Sequence, residues 1–186
     1  MAEYSVEEFG RDVERIMQEN ADRQKAVEQV KPLLAKLMER KDLLDDRYKA
    51  VTPEGQVRYS YHKSVDGRVT VGGPVFQEGK PTVVHNHNTW GVIGIYSGTQ
   101  RTGRYRRLDD GSEPGKAKLE QTSQADLGPG SIYFLLPPDD IHRIEAIGGP
   151  SLSVHVLGVD LRQQHRQFFD LDAGTVRDVL GETVMR

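Results

Sequence analysis

The sequence predicts a mainly β protein, a sandwich or barrel of short strands preceded by a helical segment. Three observations carry that expectation. Apolar residues recur at helical spacing only in the stretch before about residue 50. From Arg58 to Leu157 the pattern changes to short β-branched and aromatic runs separated by Gly, Pro and Asp turns. A length of 186 residues, 36% hydrophobic and 28% charged, suits one soluble globular domain with a true core.

Composition also excludes several function classes. Lys+Arg 25 against Asp+Glu 28 leaves a net charge of −3, so there is no electrostatic case for nucleic acid or an anionic membrane as partner. No apolar run approaches the length that spans a bilayer. The acidic start, Met1 to Glu8, lacks the basic-then-apolar order of a signal peptide. Cysteine is absent, which removes disulfides, thiolate ligands and a cysteine nucleophile. A cytoplasmic protein is the simplest expectation, and any metal must be held by His, Asp, Glu or backbone oxygen.

In chain order, Ser5 followed by Glu8 forms a capping-box pattern, and Val6, Phe9, Val13 and Ile16 then recur at helical spacing. Asn20-Ala21-Asp22 offers a break and a new N-cap. A second periodic run follows through Val27, Val30, Leu33-Leu34, Leu37 and Leu43-Leu44, with Pro32 as a kink or restart. These leucines read as a face packed on the main core. The signal changes at Val51-Thr52-Pro53-Glu54-Gly55, after which segments at 58–64, 67–71, 82–85, 90–97, 103–108, 118–122, 131–136, 142–146 and 152–157 read as strands. The tail from Leu161 is polar, with a short helix expected at Thr175 to Leu180.

Within this pattern His85 and His87 stand one residue apart at the end of a β-branched run. Side chains at i and i+2 leave the same face of a strand, so the two imidazoles point into one space. They are either the first half of a metal site or half-buried strand histidines. A transition ion needs a third donor. His142, placed by the Pro137-Pro138 turn at the start of a strand, is the first candidate, and His155 the second. On Ser151 to Leu157, alternation puts Ser153 and His155 on one face and Leu152, Val154 and Val156 on the other. His62 and His165 read as surface or strand histidines, and Trp90 as barrel wall.

Gly79, His85-Asn86-His87, Gly91 and Gly98 resemble the first cupin motif, with glycine where most cupins carry a glutamate ligand. Pro137 to His142 resembles the second, although Asp139 replaces its glycine and Ala146 an asparagine often found there. The resemblance spans about Arg58 to Leu157 and implies a double-stranded β-helix, a jelly-roll barrel. The variant with three histidines and no glutamate is the mark of thiol dioxygenases. His85-x-His87 with Thr89 to Gly94, Asp140-Ile141-His142 and Ser153-Val154-His155-Val156 look like the bacterial cysteine and 3-mercaptopropionate dioxygenases. The helical lead-in from Pro32 to Leu37 is similar to theirs as well.

That resemblance implies Fe(2+) held by His85, His87 and His142, and a substrate carboxylate gripped by Arg58, which is otherwise a surface strand arginine. Ser153 and His155 match the first two members of an outer-sphere Ser-His-Tyr relay, whose third position here is Leu157. Tyr61, Tyr96, Tyr105 or Tyr133 would have to supply a replacement hydroxyl. The implied partners are a small thiol and O2, oxidised thiol leaving as sulfinic acid, with the protein acting as a monomer or homodimer. Two other readings stand: a metal-dependent cupin dioxygenase or isomerase for a non-thiol substrate, for which Leu157 is the clue, and a non-catalytic ligand-binding cupin.

Overall fold

The computed structural model describes residues 4–51 and 56–181; the turn expected around Pro53 and Gly55 lies outside the described residues. Two helices come first, α1 (Val6–Glu19) and α2 (Arg23–Met38). The Ser5 hydroxyl accepts from the Glu8 amide while the Glu8 carboxylate accepts from the Ser5 amide, so the capping box is formed as expected. Asp22 caps α2, which runs through Pro32 without ending there. Helical structure stops at Met38, earlier than the periodicity suggested. Leu43 is buried but Leu44 is exposed, and residues 46–48 make only a single tight turn.

Ten strands follow among the described residues: β1 (Lys49–Val51), β2 (Val57–Lys63), β3 (Thr70–Phe76), β4 (Val84–His85), β5 (Gly91–Arg107), β6 (Leu119–Leu127), β7 (Ile132–Leu135), β8 (His142–Leu157), β9 (His165–Asp170) and β10 (Thr175–Leu180). All pair antiparallel, with β8 between β3 and β4 and also against β5 along most of its length. The expected fold class, a mainly β double-stranded β-helix after a helical segment, is the one observed.

Segments expected as separate strands are joined: β5 and β8 are each long and belong to two layers. Residues 152–157 of β8 pair with β3 and with residues 91–97 of β5, whereas residues 142–147 pair with residues 99–104 of β5. Between these halves the register shifts around Ser97, and Gly98 takes φ +71. A Cβ on Gly98 would stand 2.5 Å from the Pro150 carbonyl oxygen, so glycine is required at this corner.

The tail differs most from expectation. Residues 175–180 form a strand, not a helix, because Val176 and Val179 find a full antiparallel partner in β9. The Asp170 carboxylate accepts from the Asp172 and Ala173 amides and turns the chain between the two strands. β9 in turn pairs with β4, so the C-terminal hairpin supports the strand that carries His85.

The helices cover one outer face of the sheet. Val6, Phe9, Val13, Val27, Val30, Leu34 and Leu37 pack with Val92, Leu152, Val154 and Val156 in one buried cluster that also holds Trp90. The outward residues of β8 are therefore apolar because helices lie on them, which leaves Ser153 and His155 facing inward as alternation predicted. Gly94 lets α2 approach β5 closely; a Cβ there would meet the Met38 sulfur at 2.5 Å and Leu34 Cδ2 at 3.1 Å. Leu34 is wholly buried. Leu34→Ala should cost about 2–5 kcal/mol of stability, seen as a lower urea midpoint with unchanged slope; a near-neutral effect would mean that the helices are not part of the cooperative unit.

Candidate metal centre

Strand register builds the centre. His142, the first residue of β8, lies directly opposite His85 on β4 and opposite Arg104 on β5. Residues opposite each other in adjacent strands face the same way, so one rung of the sheet presents Arg104, His142 and His85 to the interior. His87 follows two residues beyond His85 and turns to the same point. The three Nε2 atoms lie 3.1 Å (His85 to His142), 3.2 Å (His85 to His87) and 3.3 Å (His87 to His142) apart, and all three residues are buried.

These distances fit a metal. An ion roughly 2.1 Å from each of three imidazole nitrogens needs them about 3.0–3.4 Å apart, for octahedral or tetrahedral angles. Three nitrogens at this spacing cannot all satisfy one another, since each offers either one hydrogen or one lone pair. A cation facing three lone pairs satisfies them together. The His85 ring is oriented for this: Nδ1 donates to the Val83 carbonyl at 2.9 Å, which leaves its Nε2 lone pair for the centre. His87 Nδ1 and His142 Nδ1 are buried without a hydrogen-bond partner. Among the described residues this is the one three-member cluster of metal-ligating side chains, and no carboxylate belongs to it.

Electrostatics keep the donors neutral. Burial pushes the His85 imidazole down to about 3, and a neighbouring positive charge on Arg166 adds to this. His87 and His142 are lowered well below the ordinary histidine value, first by burial, then by the other imidazoles, with Arg166 and Arg104 respectively adding a little. The Arg104 and Arg166 guanidinium groups are thus near enough to act on the imidazoles, and the buried Asp140 carboxylate lies close by as well.

The loop carrying His87 is pinned from the turn that leads into the neighbouring strand β8. The Asp140 carboxylate, buried, accepts from the His87 amide at 2.9 Å and from the Asn88 amide at 2.8 Å. Asn88 sits at φ +52, and its side chain accepts from Asn86 and donates to the His165 carbonyl. Burial raises the Asp140 carboxyl, partly offset by the two amides it accepts. Nothing in the pattern of Pro137 to His142 singled out this role for Asp140.

The other expected residues separate into two groups. Ser153 and His155 do face inward, with Ser153 Oγ 2.8 Å from His155 Nε2 and the His155 ring 6.5 Å from that of His87, centre to centre. Burial holds His155 down at about 3. Arg58 lies on β2, one strand in from β1, and does not line the three-histidine cluster. It lines a cavity of about 480 Å³ with Tyr59, Gly72, His155, Leu157 and Leu161. Its Nε is buried without a partner. Arg58 as a whole is half-buried.

Of the tyrosines considered as replacements at the Leu157 corner, Tyr61 and Tyr96 spend their hydroxyls on the Leu43 and Arg40 carbonyls on the helix side. Tyr105 packs in an apolar cluster with Val84, Ala117, Ile141 and Phe169. Tyr133 alone faces the interior layer, on the rung Tyr133–Ile93–His155. Its hydroxyl is buried near Thr102, and burial pushes it up to about 12 against the lowering effect of Thr102 and Arg104. The Arg104 guanidinium lies 5.7 Å above its ring. His62 pairs with Glu14 on α1 and His165 is exposed, so neither approaches the centre.

No family model matches the sequence. Similar solved structures include a protein with a double-stranded β-helix domain from Klebsiella pneumoniae, at TM-score 0.45 and 15% identity over 74% of this chain and 88% of that one. A cupin superfamily protein from Desulfitobacterium hafniense matches at TM-score 0.41 and 16% identity, over 60% of this chain and 84% of that one. Oxalate decarboxylase from Bacillus subtilis matches at TM-score 0.44 and 21% identity, over 63% of this chain and 28% of that one. These likenesses are weak, and what the centre can do is set by its own donor atoms.

Two outcomes follow from this geometry. Asp140→Ala should weaken metal binding about 10–100-fold by releasing the His87 loop, measured by chelator competition with zinc; unchanged affinity would sink the positioning role. The buried imidazoles have folded pKa values below their unfolded value of about 6.5, so as pH falls the unfolded chain takes up protons first. Stability of the metal-free protein present above about pH 6.5 should therefore decline toward about pH 3, and urea melts at a series of pH values would show a flat profile if these groups were not buried and neutral.

Proposed function

We propose that the chain is an iron(II)-dependent dioxygenase that converts a small thiol, one carrying a carboxylate, to its sulfinic acid. The observation that supports this most is the donor set: three neutral, buried imidazoles with no carboxylate among them. Such a set leaves a divalent ion its full charge, which suits an anionic sulfur ligand better than a site partly neutralised by glutamate. A bound iron(II) would supply the acidity that favours thiolate and the electron transfer that lets O2 react with it.

The chain's own residues do the rest. His85, His87 and His142 would hold the ion. Arg58, with an unpaired buried Nε, is suited to grip the substrate carboxylate and so fix one end of the molecule. His155 lines that cavity with its ring 6.5 Å from that of His87, and would hydrogen-bond the bound substrate while Ser153 holds its ring. Leu135, Leu157 and Ile93 form an apolar wall that limits water beside them. The overall change is RSH + O2 → RSO2H: both oxygen atoms bond to sulfur, which gives up four electrons, and no external reductant is consumed.

Leu157 supports a second reading. It places an apolar side chain in the same cavity as Arg58 and His155, and a non-thiol anion would suit that corner equally well. The two readings separate in one assay: oxygen uptake by iron(II)-reconstituted protein against panels of small thiols and non-thiol acids, with His142→Ala as control. Stoichiometric sulfinate from a carboxylate-bearing thiol, lost in the variant, is expected. Uptake with a non-thiol acid alone, at full iron occupancy, would replace the thiol reading with the second.

A further inference from the structure

Gln100 on β5 is completely buried, yet it belongs neither to the metal ligands nor to the apolar core. Its Nε2 donates to Ser153 Oγ at 3.2 Å, and Ser153 Oγ is 2.8 Å from His155 Nε2. Gln100 Oε1 has no partner. The three side chains form a short chain of hydrogen bonds whose direction decides what His155 offers to the cavity.

The direction follows from counting hydrogens. With Nε2 toward Ser153, the Gln100 amide leaves one N–H and an oxygen unmet. Turned over, it would satisfy the oxygen but leave both N–H groups of a buried amide unmet, and orphaned buried N–H groups are rarer than under-satisfied carbonyl oxygens. Gln100 therefore donates, and Ser153, accepting on one side, has its hydroxyl hydrogen free for the other. His155 Nε2 is then the acceptor. In a neutral imidazole the remaining proton must sit on Nδ1.

We infer that Gln100 is a positioning residue that holds His155 in the Nδ1–H form, and that this N–H is a hydrogen-bond donor to a carboxylate oxygen of the substrate. His155 Nε2 is occupied by Ser153, and Nδ1 has no hydrogen-bond partner among the described residues. His155 lines the same cavity as Arg58, and Leu157 beside it can neither donate nor accept. A carboxylate in that cavity would take a charge-assisted bond from the Arg58 guanidinium on one side and the His155 Nδ1–H on the other. The carboxylate part of this inference rests on the proposed function; the orientation of His155 does not.

The test uses the full chain loaded with zinc, which is diamagnetic, and with 15N-labelled histidine. Long-range proton–nitrogen correlation spectra distinguish a protonated ring nitrogen from a bare one. The expected result is a bare Nε2 and a protonated Nδ1 on His155, with that preference lost in Gln100→Met, which keeps the length of the side chain and removes the donor. A protonated Nε2 in the wild-type protein, which needs no variant to fold, would overturn the assignment. An unchanged spectrum in a folded Gln100→Met protein would do the same. Adding 3-mercaptopropionate should shift the Nδ1–H signal, whereas ethanethiol, which lacks a carboxylate, should leave it in place; equal responses would remove the carboxylate from the proposal. Since no turnover is measured, failure here is distinct from failure to oxidise thiols.

Discussion

One rung of the sheet decides what this molecule can hold. Arg104, His142, His85 and Phe168 stand side by side on β5, β8, β4 and β9, and the centre exists because that register is kept. A slip of one residue would turn His142 to the outer face and bring an apolar neighbour inward. The devices that prevent such a slip lie on every side of the rung. The C-terminal hairpin backs β4, Asp140 ties the His87 loop to the start of β8, and the corner at Gly98 sets where the long strands bend. The helices add the remaining constraint by burying the outward residues of β8, so that its polar residues can only face in.

Much of this can be read in the sequence because it depends on short-range periodicity. The spacing of His85 and His87, the alternation of Ser153 and His155 against Leu152, Val154 and Val156, and the Ser5–Glu8 capping box each need only a few neighbouring residues to be recognised. What escaped depends on partners far along the chain. Gln100 looks like any polar strand residue until Ser153, 53 positions away, is placed beside it. Asp140 sits in a Pro-rich turn where an acidic residue is unremarkable, and its two amide partners are more than 50 positions distant. Thr175 to Leu180 has no decisive period of its own, and β9 settles its state.

The interior joins two kinds of surface that are usually separated. Around the three histidines the barrel is closely packed, and the buried imidazoles there stay neutral because charging them would mean desolvating them. Toward β2 lies a cavity lined by Arg58, Leu157 and His155. A ligand that bridged the two regions would need one soft or anionic end and one end able to accept hydrogen bonds. This division of labour, set by residues on three different strands and the loop after β4, is a stronger statement about ligand shape than any one of those residues makes alone.

The long reach of β8 has a consequence for how the protein is made. His85 and His87 emerge together, but His142 joins them only after a segment of 57 residues has been closed into antiparallel pairing, a slow, non-local step. A nascent chain therefore offers an ion two donors at most. Tight capture must wait until the barrel has closed, and the free energy of that capture is then returned to the closed form alone. An ion bound in this way acts as a latch fitted after assembly and not as a template for it.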